Sequence, residues 1–256
     1  MASSSEDLMH LKSASIIVLL LSQSCPPALS QDGRTLFRKM QDALGGAERI
    51  AAVQDFEQCV RGDTWGNNGR PRGVVYKRTR WIKPNVLRLD QVGPDDSYVL
   101  YFNGSSGWEI LPDKGFAELA GEELEFARGY ANGVDLRSWL ADRDSNNVFT
   151  ASAPAVITIS TEQHPTHKTE ITLDPITFLP VKVASSHPAG TQIRQFEGSE
   201  SVQGIKFPRR IINFHNGKKL ADASVEETRV NIGFSPEDLE VKPQGLKPVM
   251  SDCRSK

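Results

Sequence analysis

The chain has 256 residues, 38% of them apolar, with 20 glycines, enough material for one sizeable buried core. Thirty basic against 32 acidic residues leave a net charge of −2, which offers no electrostatic footprint for nucleic acid. Fifteen prolines beside those glycines exclude a long helical bundle and predict many turns between short strands.

The N-terminus reads as an export signal. Lys12 precedes an apolar run over residues 14–21, and Ala28 and Ser30 supply the small side chains needed before a cut at Gln31. Residues 1–30 are therefore expected to be a secretory signal peptide, with 31–256 as a single domain in the periplasm or outside the cell. The apolar run is far short of the roughly 20 residues that span a bilayer. Glu6 and Asp7 fit such a signal poorly, and a start at Met9 would make it cleaner. Cys25 raises lipid attachment as an alternative, but a lipobox wants Leu three residues before the cysteine, and Ser22 stands there. Plain cleavage leaves Cys59 and Cys253, which an oxidising compartment would allow to pair; two unpaired thiols are the alternative.

Asp32 is placed to cap a helix whose apolar positions Leu36, Phe37, Met40 and Leu44 recur at three- and four-residue steps. Gly45-Gly46 weakens or divides that helix, and residues 47–53 continue it. From Phe56 the period becomes two. Strands are predicted from Phe56 onward and over 74–81, 86–92, 98–102 and 108–111, separated by turns such as Gly93-Pro94 and Asn103-Gly104. Short connections predict an antiparallel meander. Residues 121–144 return to helical spacing, with Gly129 and Gly133 interrupting, so two short helices or a kinked one are expected. Strands resume over 155–162, 168–173, 179–184, 192–196, 205–214 and 223–231, and Ser235-Pro236 opens a capped turn.

Within this order lie Tyr101-Phe102-Asn103-Gly104 with Gly107-Trp108, then Gly121-Glu122-Glu123-Leu124 and Leu173-Asp174-Pro175. Phe178-Leu179-Pro180-Val181-Lys182, Gly204-Ile205-Lys206-Phe207-Pro208 and Phe234-Ser235-Pro236-Glu237-Asp238-Leu239 follow. Together they resemble the outer-membrane lipoprotein-sorting (LolA/LolB-like) superfamily, over about residues 32–242, as a divergent periplasmic relative. The resemblance implies a mainly β, α+β fold: a curved antiparallel half-barrel whose concave face is covered by helices. It also implies a hollow that accepts acyl chains, a lipid or a lipoprotein, or else an inner- or outer-membrane protein partner.

Strand alternation offers Trp81, Leu87, Leu89, Tyr98, Leu100, Phe102, Ile157 and Ile159 as the lining of such a hollow. The same side chains could instead form a dry, filled core. Residues 121–140 would cover the lining as a lid hinged at Gly129 or Gly133.

Signatures of catalysis are poor. His164 and His167 sit in a polar loop with no glutamate between them, unlike the helical His-Glu-x-x-His of zinc hydrolases. No Gly-x-Ser-x-Gly elbow is present, and Glu226 and Glu227, adjacent in a strand, point to opposite faces. Neither an enzyme, a metal site nor a cofactor is expected. Lys77, Arg78 and Arg80 beside Trp81 could attract lipid head groups or an acidic partner; a solvated strand face is the plainer expectation.

Overall fold

A computed structural model describes residues 32–94, 97–132, 134–161, 166–187 and 190–243. The signal peptide and cut assigned to the first 30 residues, and Cys25, His164 and Cys253, lie outside the described residues. No helix among the described residues is long and apolar enough to cross a membrane.

Helix α1 (Gly33–Leu44) starts where Asp32 accepts a hydrogen bond from the Arg34 amide and stops at Gly45, whose φ is 124°. Only glycine suits that turn, because a Cβ there would stand 2.1 Å from the Gly204 carbonyl oxygen. A short α2 (Ala47–Ala51) follows, so the glycine pair divides the helix. Leu36, Phe37, Met40 and Leu44 are all buried on one face of α1.

Thirteen strands form one antiparallel sheet. Along the chain they are β1 (Asp55–Trp65), β2 (Pro71–Ile82), β3 (Val86–Val92), β4 (Tyr98–Phe102), β5 (Gly107–Leu111) and β6 (Gly115–Glu118). After a helical segment come β7 (Asn147–Ala153), β8 (Val156–Thr161), β9 (Lys168–Leu173), β10 (Pro180–His187), β11 (Gly190–Val202), β12 (Ile205–His215) and β13 (Lys218–Val230). Two meanders, β1 to β6 and β7 to β13, are joined where β1 pairs with β13, which leaves β6 and β7 as the two edges. These edges are consecutive in the chain yet farthest apart in the sheet. Twelve inter-strand gaps of about 4.8 Å would separate them by about 58 Å if the sheet were flat. The connecting segment includes α3 (Gly121–Asn132), only about 18 Å long, α4 (Asp135–Ser138) and a 3₁₀ turn (Ala141–Arg143). The sheet is open and curled, and this segment with α1 covers its concave face.

Both edge strands escape the sequence reading. β6 has four residues and β7 carries one buried side chain, Phe149; short polar edges give little periodic signal. Strands β11 and β13 also run well past the 192–196 and 223–231 expected, because polar ends such as Gly198-Ser199-Glu200 carry no hydrophobic alternation.

The concave cluster is the main core and takes in α1, α3, α4 and strands from both arms. A second cluster lies on the convex face, where Val86, Val99, Tyr101, Trp108 and Ile110 pack with Leu239 of α5 (Pro236–Glu240). That helix has a full capping box between Ser235 and Asp238 and Pro236 in its first turn. Cys59 is buried in β1 and disulfide-bonded.

Candidate functional site

Register fixes which side chains meet on the concave face. Phe56, Trp81, Leu87 and Phe102 stand opposite one another across β1, β2, β3 and β4, forming one rung. One rung along, Leu89 faces Leu100, and the next brings Lys77, Gln91 and Tyr98 into line. Ile157 and Ile159 approach the same cluster from β8 in the other arm. Of the eight side chains expected to share a lining, Trp81, Leu87, Leu89, Leu100, Phe102 and Ile157 are buried in one cluster, and Tyr98 and Ile159 pack against it half-buried. The structure therefore brings all eight together.

The space between them is occupied. Side chains from α1 and the 119–140 segment fill the concave face, Ala127 and Ala131 of α3 being fully buried against it. Small side chains let α3 lie close over β3 and β4. Its other face is polar apart from Phe126, which is 58% exposed. Gly129 lies inside α3, and the helical break falls between Asn132 and Asp135; Gly133 lies outside the described residues.

Polar contacts pin this cover to both arms of the sheet. On one side the Lys77 ammonium donates to the Tyr130 hydroxyl at 2.6 Å and lies 4.4 Å from its ring centre. On the other, Arg194 of β11 pairs with Asp135 at 2.7 Å. Arg137 donates to the Pro84 carbonyl between β2 and β3. Burial by itself disfavours the charged Lys77, yet the Tyr130 and Tyr98 phenols outweigh it and hold its pKa above the usual lysine range. Burial likewise opposes ionisation of Tyr130, but the neighbouring Lys77 charge brings that phenol below its ordinary value.

An apolar crevice of about 30 Å³ opens beside the cluster, between Leu44, Trp139, Leu179, Phe196 and Phe207, with Lys206 at its side. It has room for about one water and no more.

The cationic run divides between the two faces. Lys77 and Trp81 point to the concave side, Arg78 and Arg80 to the convex side, where they are not solvated as the sequence suggests. Glu57, 1% exposed, accepts from Arg78 at 2.6 Å and also pairs with Arg229. Asp90 pairs with Arg80 at 2.5 Å and Arg88 at 3.0 Å, while Arg88 also donates to the carbonyls of Leu239 and Val241. Acidic partners distant in sequence, Glu57 and Asp90, bury these guanidinium groups; local spacing carries no sign of that pairing. No group of three or more potential metal-ligating side chains occurs among the described residues.

No family model and no curated protein matches the chain. Solved structures do. A LolA superfamily protein from Nitrosomonas europaea aligns over 82% of this chain and 98% of its own, at 12% identity and a TM-score of 0.55. A DUF1329 family protein from Desulfovibrio piger aligns over 81% and 97%, at 10% identity and 0.56. An outer-membrane lipoprotein-sorting protein domain from Vibrio parahaemolyticus aligns over 81% and 95%, at 10% identity and 0.50. At such identities the likeness is one of fold, and the chain has the open half-barrel fold of the LolA superfamily structures.

Proposed function

We propose that this protein is a non-catalytic carrier or sensor of the periplasm that shelters an acyl chain, a lipid or the acyl chains of a lipoprotein against the concave face. The observation that carries this reading is the convergence of eight strand side chains from both arms of the sheet under one helical cover. Within that cover Ala127 and Ala131 of α3 are fully buried, Leu124 and Tyr130 pack half-buried beside them, Leu136 and Trp139 are buried beyond, and polar contacts hold the margins. Lifting α3 alone withdraws two alanines and the half-buried Leu124 and Tyr130 while Leu136 and Trp139 stay seated, so the lining is exposed at modest cost. The export signal in the first 30 residues supports the compartment, and the fold neighbours support the class of protein.

The filled core favours a second reading. An envelope interaction module, docking an inner- or outer-membrane protein by its surface, would use the same sheet with no hollow at all. Lipid extracted from protein purified out of its own compartment, together with a fluorescence gain from an acyl-chain probe, supports the carrier. Stably folded protein that carries no lipid and ignores acyl probes leaves the interaction module standing alone.

A further inference from the structure

The charges along β2 are treated unequally. On the convex side each guanidinium meets a carboxylate, Arg78 with Glu57 and Arg80 with Asp90. Lys77, half-buried on the concave side, makes no ion pair among the described residues and is satisfied by phenol oxygens alone. Two phenols satisfy the ammonium but leave its charge unbalanced, which makes an anion a favourable partner there. Its place matters as well. Lys77, Thr79 and Trp81 share one face of β2, so the ammonium lies about 13 Å along the strand from the apolar rung of Trp81, Leu87 and Phe102. Polarity thus rises along the concave face from an aromatic and aliphatic end to a cationic one.

We propose that Lys77 is the head-group residue of this face and that the ligand is an amphiphile with an acyl tail and an anionic head. The assignment rests on the carrier reading and names its ligand class. Tyr130 occupies the ammonium while α3 is down, and lifting α3 removes Tyr130 and leaves Lys77 for the carboxylate or phosphate, so opening the cover and exposing the cation are one event. Tyr98, the phenol carried by a strand, stays beside Lys77 throughout.

Equilibrium binding of palmitate and of 1-hexadecanol, equal in chain length and different in charge, tests this on the full mature chain. Wild type is expected to hold palmitate about tenfold more tightly, the range of one charge-assisted hydrogen bond. Lys77→Gln should bring palmitate down to the alcohol and leave the alcohol unchanged. Gln91→Glu supplies a carboxylate directly across from Lys77 without removing it, and should abolish the preference while the fold is retained, which decides the matter if Lys77→Gln does not fold. Equal binding of the two ligands by wild type, or a preference that survives Gln91→Glu, overturns the head-group assignment and leaves the carrier reading intact. Binding of neither ligand removes the carrier reading, and the assignment falls with it.

Discussion

The two faces of β1, β2 and β3 are built from alternate residues of the same strands and yet solve opposite problems. The convex face buries charge. Glu57 and Asp90, 1% and 2% exposed, each take two guanidinium groups, and Arg88 ties the end of α5 to the sheet through two backbone carbonyls. The concave face buries aromatic and aliphatic rungs under α3, whose fully buried residues are Ala127 and Ala131, and holds Lys77, which meets no carboxylate among the described residues. Matched charge buried between neighbouring strands is architecture. Unmatched charge beside an apolar face under a polar-rimmed cover is where a ligand would gain most.

Breaking the convex network should have the largest effect. Glu57→Ala takes the carboxylate from Arg78 and leaves Arg229 with Glu227 at 3.8 Å, and is expected to cost about 3–5 kcal/mol in denaturant unfolding. A loss below about 1 kcal/mol would mean that this face is solvated and that the contrast between faces is false. Leu87→Ala, at a fully buried position in the Trp81–Phe102 rung, should cost about 2–3 kcal/mol, the low end for such truncations, because α3 can settle into the space. A cost near 5 kcal/mol would indicate a rigid core and weaken the case for a moving cover.

Tyr130→Phe keeps the ring over Lys77 and removes one hydrogen bond. It should lower stability by about 1 kcal/mol and speed amide exchange in α3, while amides of β1, β2 and β3 stay as protected as before. Uniform acceleration across the sheet would make the cover part of one cooperative unit. The smallest effect is expected at Asp222, far from either cluster. Two hydrogen bonds from Arg210, at 2.7 and 2.8 Å, with Lys219 nearby, hold its carboxyl down to about 2. A depressed carboxyl contributes stability that is complete above its unfolded pKa and lost as pH falls through the folded one. The contribution should therefore fade between about pH 4 and 2, and Asp222→Asn should flatten that part of the acid profile by less than about 1 kcal/mol, given the exposure of the pair.

Period-two alternation in β2, β3, β4 and β8 makes Trp81, Leu87, Leu89, Leu100, Phe102 and Ile157 legible as one-sided positions from the order of residues alone, because the pleat sends alternate side chains to one face. Glycine and capping residues likewise mark the division at Gly45-Gly46 and the start of α5 at Ser235, since those signals are local. Three things are not local. The β1–β13 pairing joins residues more than 150 positions apart, and only that closure makes β6 and β7 the edges and turns the segment between them into a cover. The partners of Arg78 and Arg80, Glu57 and Asp90, belong to neighbouring strands, so a run that reads as a solvated basic patch becomes a buried ion-pair network. Whether the apolar face is filled depends on the side chains that α1 and α3 lay across it. Alternation says which side chains point the same way; how near the opposing layer comes, and whether a cation meets a carboxylate or a phenol, is decided by tertiary packing alone.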